Sequence, residues 1–246
     1  RHNPEFTMME LYQAYGDYNE MMDITEEMIS GLAEDVVGSM RLPWGEIPED
    51  DESDEESAEQ GAPEEINFAR PWPRRRFWDL LEEHVGVGRG QDEAIREKAR
   101  ELELENADDE HPEYLALQLF DKLVEDKLDG PVFVIDYPKS VCVLTKAKPD
   151  DPGIAERFEL YIKGMEMANA YTELNDPIEQ EKRFLEQVGE EAEQERVDRD
   201  FLRALSYGMP PAGGLGIGID RLVMVLTNNQ SIREVILFPL LRPEQE

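Results

Sequence analysis

The chain has 246 residues, 40% of them apolar and 34% charged, with a formal net charge of -33 and a single cysteine, Cys142. That is enough chain for one large domain with its own core, but such acidity excludes a surface that grips a polyanion throughout, while leaving room for a local positive site. No run of about 18 apolar residues marks a transmembrane helix, no basic and then apolar leader opens the chain, and the lone cysteine and scattered His2, His84 and His111 give neither an internal disulfide nor a zinc spacing. A reducing, cytoplasmic setting is expected. The acidity also suits a cationic substrate, although solvated faces account for it as well.

Residues 6–15, FTMMELYQAY, read as a strand. Phe6, Met8, Glu10 and Tyr12 share one face, and Met9 and Leu11 make the other apolar. Asp17 followed by Glu20 is a helix start of the capping-box kind. Met21, Met22, Ile24, Met28, Ile29, Leu32, Val36 and Val37 then recur at helical spacing as a core stripe. Residues 49–65, EDDESDEESAEQGAPEE, are too polar to offset ordering entropy and are expected to form a disordered insertion. The run PRRR at 73–76 is expected to neutralise acidic neighbours and begin a helix through Trp78, Leu80 and Leu81; a nucleic-acid patch is the alternative.

Residues 91–105 and 113–128 read as amphipathic helices, and 132–135 as a short strand ended by Asp136-Tyr137-Pro138. Strands at 158–162 and 165–174 form a hairpin that turns at Lys163-Gly164. Residues 177–195 are helical with Pro177 in the first turn. Residues 210–228, PPAGGLGIGIDRLVMVLTN, run from a glycine-rich strand into a helix near Asp220. Strands and helices do not alternate regularly, so the expected class is α+β, a mostly antiparallel sheet flanked by helices.

Glu159 and Glu166 flank the Gly164 turn, and paired carboxylates of this kind can hold magnesium together with substrate phosphates. Strand parity places Glu166 opposite Asn169 and Glu173, so a bulge near the turn is needed to bring them to one side; solvent-exposed strand acids are the alternative. Gly214, Gly216 and Gly218 bare one strand face, either for a flat ligand or for close packing. Arg221 beside it can stack on a base, hold a phosphate, or form a surface salt bridge. His2, Phe6 and Glu10 suit a phosphate ligand, a stacking platform and an acceptor for a buried cation, or else a frayed terminus, a core ring and an edge acid.

Taken together, three segments resemble one family. RHNPEFTMMELYQAYGDY resembles the second half of motif 2 of bacterial lysyl-tRNA synthetases, RFELYIKGMEMANAYTELND their magnesium-binding segment, and GGLGIGIDRLVMVLTNNQSIREVILFPLLRP their motif 3. Order and spacing agree over nearly the whole chain apart from the acidic insertion. The resemblance implies the class II aminoacyl-tRNA synthetase catalytic fold and ATP-dependent ligation of L-lysine to tRNA(Lys) through lysyl-adenylate. It implies that Glu10, Tyr12, Asn169, Tyr171 and Glu173 line the lysine pocket, that His2, Phe6, Gly216, Gly218 and Arg221 meet ATP, and that Glu159 and Glu166 bind Mg2+. A homodimeric, cytoplasmic parent with no membrane association is implied too.

By the same resemblance the chain starts within motif 2, after its Phe-Arg-x-Glu strand, and so lacks an arginine that grips the α-phosphate; a partial catalytic domain of doubtful activity is expected. Tyr171 stands where relatives often carry Phe, and SVCVLTK at 140–146 departs from a commoner Ser-Pro-Leu. The rival readings are an enzyme that lysylates elongation factor P and a non-catalytic lysine- or nucleotide-binding remnant.

Overall fold

The structure, a computed structural model, describes residues 3–45, 64–188 and 197–240. In chain order its elements are β1 (Met8–Ala14), α1 (Tyr18–Leu32), β2 (Arg41–Trp44), β3 (Glu64–Asn67), β4 (Arg74–Arg76), α2 (Phe77–Val85), α3 (Asp92–Glu101), α4 (Pro112–Leu123), β5 (Val132–Ile135), β6 (Arg157–Ile162), β7 (Met165–Thr172), α5 (Pro177–Val188), α6 (Arg199–Ser206), β8 (Ala212–Gly218) and α7 (Ile219–Leu226). Strands run β1-β8-β7-β6-β5-β4 across a sheet that is antiparallel except between β4 and β5, and β2 and β3 form a separate hairpin. The expected α+β class, mainly antiparallel, is the architecture found.

Alternation along the strands sorts the side chains between two cores. Phe158, Leu160, Ala168, Ala170, Leu215 and Ile217 point to the face covered by Met21, Met22 and Ile29 of α1 and Met224 and Val225 of α7. Val132, Val134 and Tyr161 point the other way, under Phe77, Leu115, Leu119 and Phe120 of the α2–α4 lobe. That lobe covers only one end of its face, so the stretch from β6 to β1 stays open above the sheet.

Local chemistry sets the boundaries. The Asp17 carboxylate accepts from the backbone N–H of Asn19 and Glu20 while Glu20 accepts from the N–H of Asp17, closing the expected capping box. Lys163 and Gly164 both have positive φ, 51° and 62°, as a tight hairpin turn requires, and a Cβ at Gly164 would lie 3.0 Å from Asp126 Cα.

Several expectations need correction. The helix expected through Trp78, Leu80 and Leu81 is α2, with Arg76 at its N-cap, but the three arginines before it are not helical: they form β4, parallel to β5. They do neutralise acids, Arg74 with Asp23, Arg75 with Glu83 and Arg76 with Asp136. Val36 and Val37 are exposed because α1 gives way to a π-helical turn, whose wider winding rotates them off the core face. The helices expected at 91–105 and 113–128 are shorter, ending at Glu101 and Leu123, with a 3-10 turn at Glu125–Lys127. Most of the acidic stretch 49–65 lies outside the described residues, but its last two residues, Glu64 and Glu65, pair in β3 with Trp44 and Pro43. Of the helix expected at 177–195, residues 189–195 lie outside them also.

The packing yields a ranking of stabilities. Phe158→Ala removes a fully buried ring and should cost about 3–5 kcal/mol, whereas Asp17→Ala removes only the helix cap and should cost about 1 kcal/mol. Urea unfolding of both variants checks the order.

Candidate active site

Register places the chemistry-bearing residues in rows across the open face. Glu10 pairs with Gly216, Gly216 with Asn169 and Asn169 with Glu159; one row over, Tyr12 pairs with Gly214, Gly214 with Tyr171 and Tyr171 with Arg157. The expected bulge is present. Between β6 and β7 the register passes from Leu160–Ala168 to Tyr161–Glu166, leaving Met167 as the extra residue. That one-residue shift turns Glu166 to the face of Asn169, Tyr171 and Glu173.

Three connected cavities lie along this face. The first, about 160 Å³, is lined by Glu10, Tyr12, Asn169, Tyr171, Glu173 and Gly214. The second, about 300 Å³, holds Phe6, Asn169, Glu166, Gly216, Gly218 and Arg221. The third, about 360 Å³, holds Asp121, Glu125, Glu159, Tyr161, Glu166 and Arg221. Asn169 and Gly216 border the first two, and Glu166 and Arg221 the last two. Of the residues singled out from sequence, only His2 lies outside the described residues.

The first cavity gathers two carboxylates and two tyrosines beside a bare strand face. A Cβ at Gly214 would stand 2.0 Å from Glu173 Oε1 and 3.0 Å from Tyr12 Cε1, so the bare strand is what lets both side chains lie over it. Burial pushes the Glu173 carboxyl up to about 7. Tyr12 donates to Glu10 Oε2 at 3.3 Å, and burial followed by the neighbouring Glu10 and Glu173 raises its hydroxyl pKa. Burial, then Glu173 and Tyr12, pushes Tyr171 up to about 12. A desolvated carboxylate of this kind is favoured in its charged form by a nearby cation.

The second cavity is lined by Phe6, 59% exposed, and by Arg221. Arg221 Nη1 donates to the backbone carbonyl of Glu166 at 2.5 Å, and Asp220 accepts from the N–H of Thr7, which ties the start of α7 to the segment before β1.

The third cavity collects acids. Glu159 Oε2 accepts from the hydroxyls of Tyr137 at 2.7 Å and Tyr161 at 2.6 Å, while its Oε1 accepts from Arg157. The Tyr161 hydroxyl also lies 3.0 Å from Glu125 Oε1, so a single proton stands between two carboxylates. Burial, then Glu159, pushes Glu166 up to about 7; burial, then Glu125 and Glu159, does the same for Asp121. Among the described residues no three acids converge as a closed metal cage would. Magnesium held by one or two carboxylates plus phosphate oxygens needs no such cage, and the desolvated Glu166 carboxyl, lining one cavity with Glu125 and Glu159, fits that hard ion.

Sequence reasoning missed Asp121, Glu125, Arg157, Tyr137 and Tyr161. Asp121 and Glu125 are four residues apart near the end of α4, a spacing visible in the sequence, but nothing there indicates that the helical lobe reaches the sheet. Loop 140–146, the SVCVLTK departure, acquires a place: Cys142 Sγ accepts from Arg157 Nη1 at 3.4 Å, and Thr145 pairs with Glu173.

The open face thus joins a glycine-floored antiparallel sheet to a carboxylate pocket at one end and an acid cluster at the other. Residues 1–242 match the family described as tRNA synthetases class II (D, K and N), and the chain belongs to that family. Among curated relatives, the proteins named lysine–tRNA ligase from Carboxydothermus hydrogenoformans and Pelotomaculum thermopropionicum are 48% and 47% identical over 99% and 100% of this chain. The one from Aquifex aeolicus is 45% identical over 100% of it. The chain covers 48%, 47% and 40% of those relatives, a little under half their length. No helix among the described residues is long and apolar enough to cross a membrane.

The Glu173 carboxyl gives a pH test. Its pKa is about 7 in the fold against an ordinary 4.5, so the folded chain holds the proton that the unfolded chain releases between these values. The stability it contributes is present below the lower value and lost as pH rises through the upper. Glu173→Gln should therefore raise the melting temperature near pH 8 and leave it unchanged near pH 4, as a pH series of thermal melts will read.

Proposed function

We propose that the chain is the adenylate-forming part of a lysine–tRNA ligase, with L-lysine, ATP and tRNA(Lys) as its substrates. The observation that carries the reading is the desolvated Glu173 sharing one cavity with Glu10, over the glycine face of β8. A half-buried carboxylate with a second, exposed one in the same cavity discriminates an ammonium from a neutral side chain of similar length, because a neutral ligand leaves the desolvated group uncompensated. The curated relatives' names agree with lysine as that ligand.

In this reading Glu10, Tyr12 and Glu173 hold the ε-ammonium, and Asn169 and Tyr171 line the path to the reacting end. Phe6 and Arg221 sandwich the adenine, Gly216 and Gly218 leave space for the nucleotide, and His2 contacts its phosphates. Glu159 and Glu166 hold magnesium, which supplies charge neutralisation on the phosphates when bound. The lysine carboxylate attacks the α-phosphorus, the bond to the leaving pyrophosphate breaks, and lysyl-adenylate remains. A ribose hydroxyl of the tRNA then takes the lysyl group and AMP leaves. The protein's part is alignment and electrostatic stabilisation. The parent works as a cytoplasmic homodimer.

Lysine-dependent ATP–pyrophosphate exchange tests the reading. A signal with lysine alone among the twenty amino acids is expected. A signal shared with other amino acids, or no signal together with no lysine binding in calorimetry, overturns it. Glu173→Gln should raise the KM for lysine at least tenfold and leave the KM for ATP within about twofold. Because the ammonium draws Glu173 to its ionised form, lysine binding near pH 7 should release protons, seen as a binding heat that depends on the buffer's ionisation enthalpy, and Glu173→Gln should abolish much of that dependence.

A further inference from the structure

Arg157 is the first residue of β6, and its side chain is only 17% exposed. Its guanidinium touches neither of the two cavities assigned to lysine and nucleotide. It is nevertheless fully engaged: Nε donates to Asn169 Oδ1 at 3.2 Å, Nη2 to Glu159 Oε1, and Nη1 to Cys142 Sγ at 3.4 Å, with the cation 5.0 Å from the centre of the Tyr137 ring. An arginine can only donate, so it dictates which way a neighbouring amide faces. With Oδ1 turned to Arg157, the Asn169 NH2 is turned away from it, and among the described residues it meets no acceptor. Asn169 borders both the carboxylate pocket and the nucleotide cavity, so this NH2 stands where the two meet.

We propose that Arg157 is a positioning residue: by fixing the Asn169 amide it presents an N–H donor at the junction of the two cavities, and thereby sets recognition of the carboxylate end of the amino-acid substrate. The assignment rests on reading the first cavity as the lysine pocket. Asn169 lies on β7 and Glu173 one residue past its end, four positions further on and about 13 Å away between Cα atoms, so a lysine anchored at Glu173 runs along β7 toward Asn169. There its carboxylate meets a donor already aimed. The same guanidinium orients Glu159, so one buried fork ties the amino-acid side of the site to its acid side. A lysine at this position is a point charge without the planar fork and cannot hold both partners in register.

The test is calorimetric titration of this chain with lysine and with lysinol, in which a primary alcohol replaces the carboxylate. Arg157→Lys should weaken lysine at least tenfold, as expected for a lost hydrogen bond to a charged group, and leave lysinol within about twofold. Asn169→Ala should lose the same discrimination, and the double variant should lose no more. Equal weakening of both ligands by Arg157→Lys, or losses that add in the double variant, overturns the proposal while leaving the lysine pocket standing. If the unaltered chain binds norleucine as tightly as lysine, the pocket reading falls and takes this one with it. Should Arg157→Lys fail to melt cooperatively, Asn169→Asp decides: it keeps an oxygen toward Arg157 and replaces the outward donor with an acceptor. It should weaken lysine at least tenfold and lysinol not at all, and an unchanged ratio overturns the proposal.

Discussion

Strand β8 carries no side chain on the face where its neighbours carry their charges. Gly214 and Gly216 sit at the centre of the rows that join β1 to β7, Gly218 stands opposite Met8 of β1, and the absent Cβ at Gly214 is the space in which the Glu173 carboxylate lies. A floor without side chains lets acids from both flanking strands lean inward over one cavity. It also lets a ligand lie against backbone, where a side chain at each glycine would fill the same volume. The other face of β8, with Leu215 and Ile217, is ordinary core. A single strand thus separates packing from chemistry by parity alone.

The price of that arrangement is electrostatic. Glu166, Glu173 and Asp121 are each pushed toward neutrality by burial, and Glu166 and Asp121 also by the charges of Glu159 and Glu125. The fold offsets part of this with Arg157, with the hydroxyls of Tyr137 and Tyr161, and with Arg221. In the proposed function, a bound ammonium and a hard cation relieve the remainder. A site that destabilises its own acids when empty has its strongest interactions reserved for the charges it binds, which is how carboxylates come to discriminate.

Two peripheral pieces complete the site. The helical lobe α2–α4 packs its own aromatic core against β5 and Tyr161, and in doing so delivers Asp121 and Glu125 to the acid cavity. Loop 140–146 reaches in from below, with Cys142 under Arg157 and Thr145 against Glu173. Neither piece supplies a residue to the glycine floor, yet both touch the groups that line it.

The sequence by itself determined the elements with strong local chemistry. The Asp17–Glu20 cap, the Lys163-Gly164 turn and the period-2 alternation around Glu10 and Tyr12 all depend on residues within a few positions of each other, so they were legible. So was the need for a bulge, because Glu166 and Asn169 have opposite parity. Tertiary structure decided the rest. Three consecutive arginines became a strand because β5 offered a parallel edge, and Val36 and Val37 left the core because the helix widened just before them. The meeting of Asp121 and Glu125 with Glu159, and the hold of Arg157 on Asn169, depend on how a helical lobe and a hairpin dock. Residues distant in sequence become neighbours only after burial has fixed the backbone, and no local period encodes that contact.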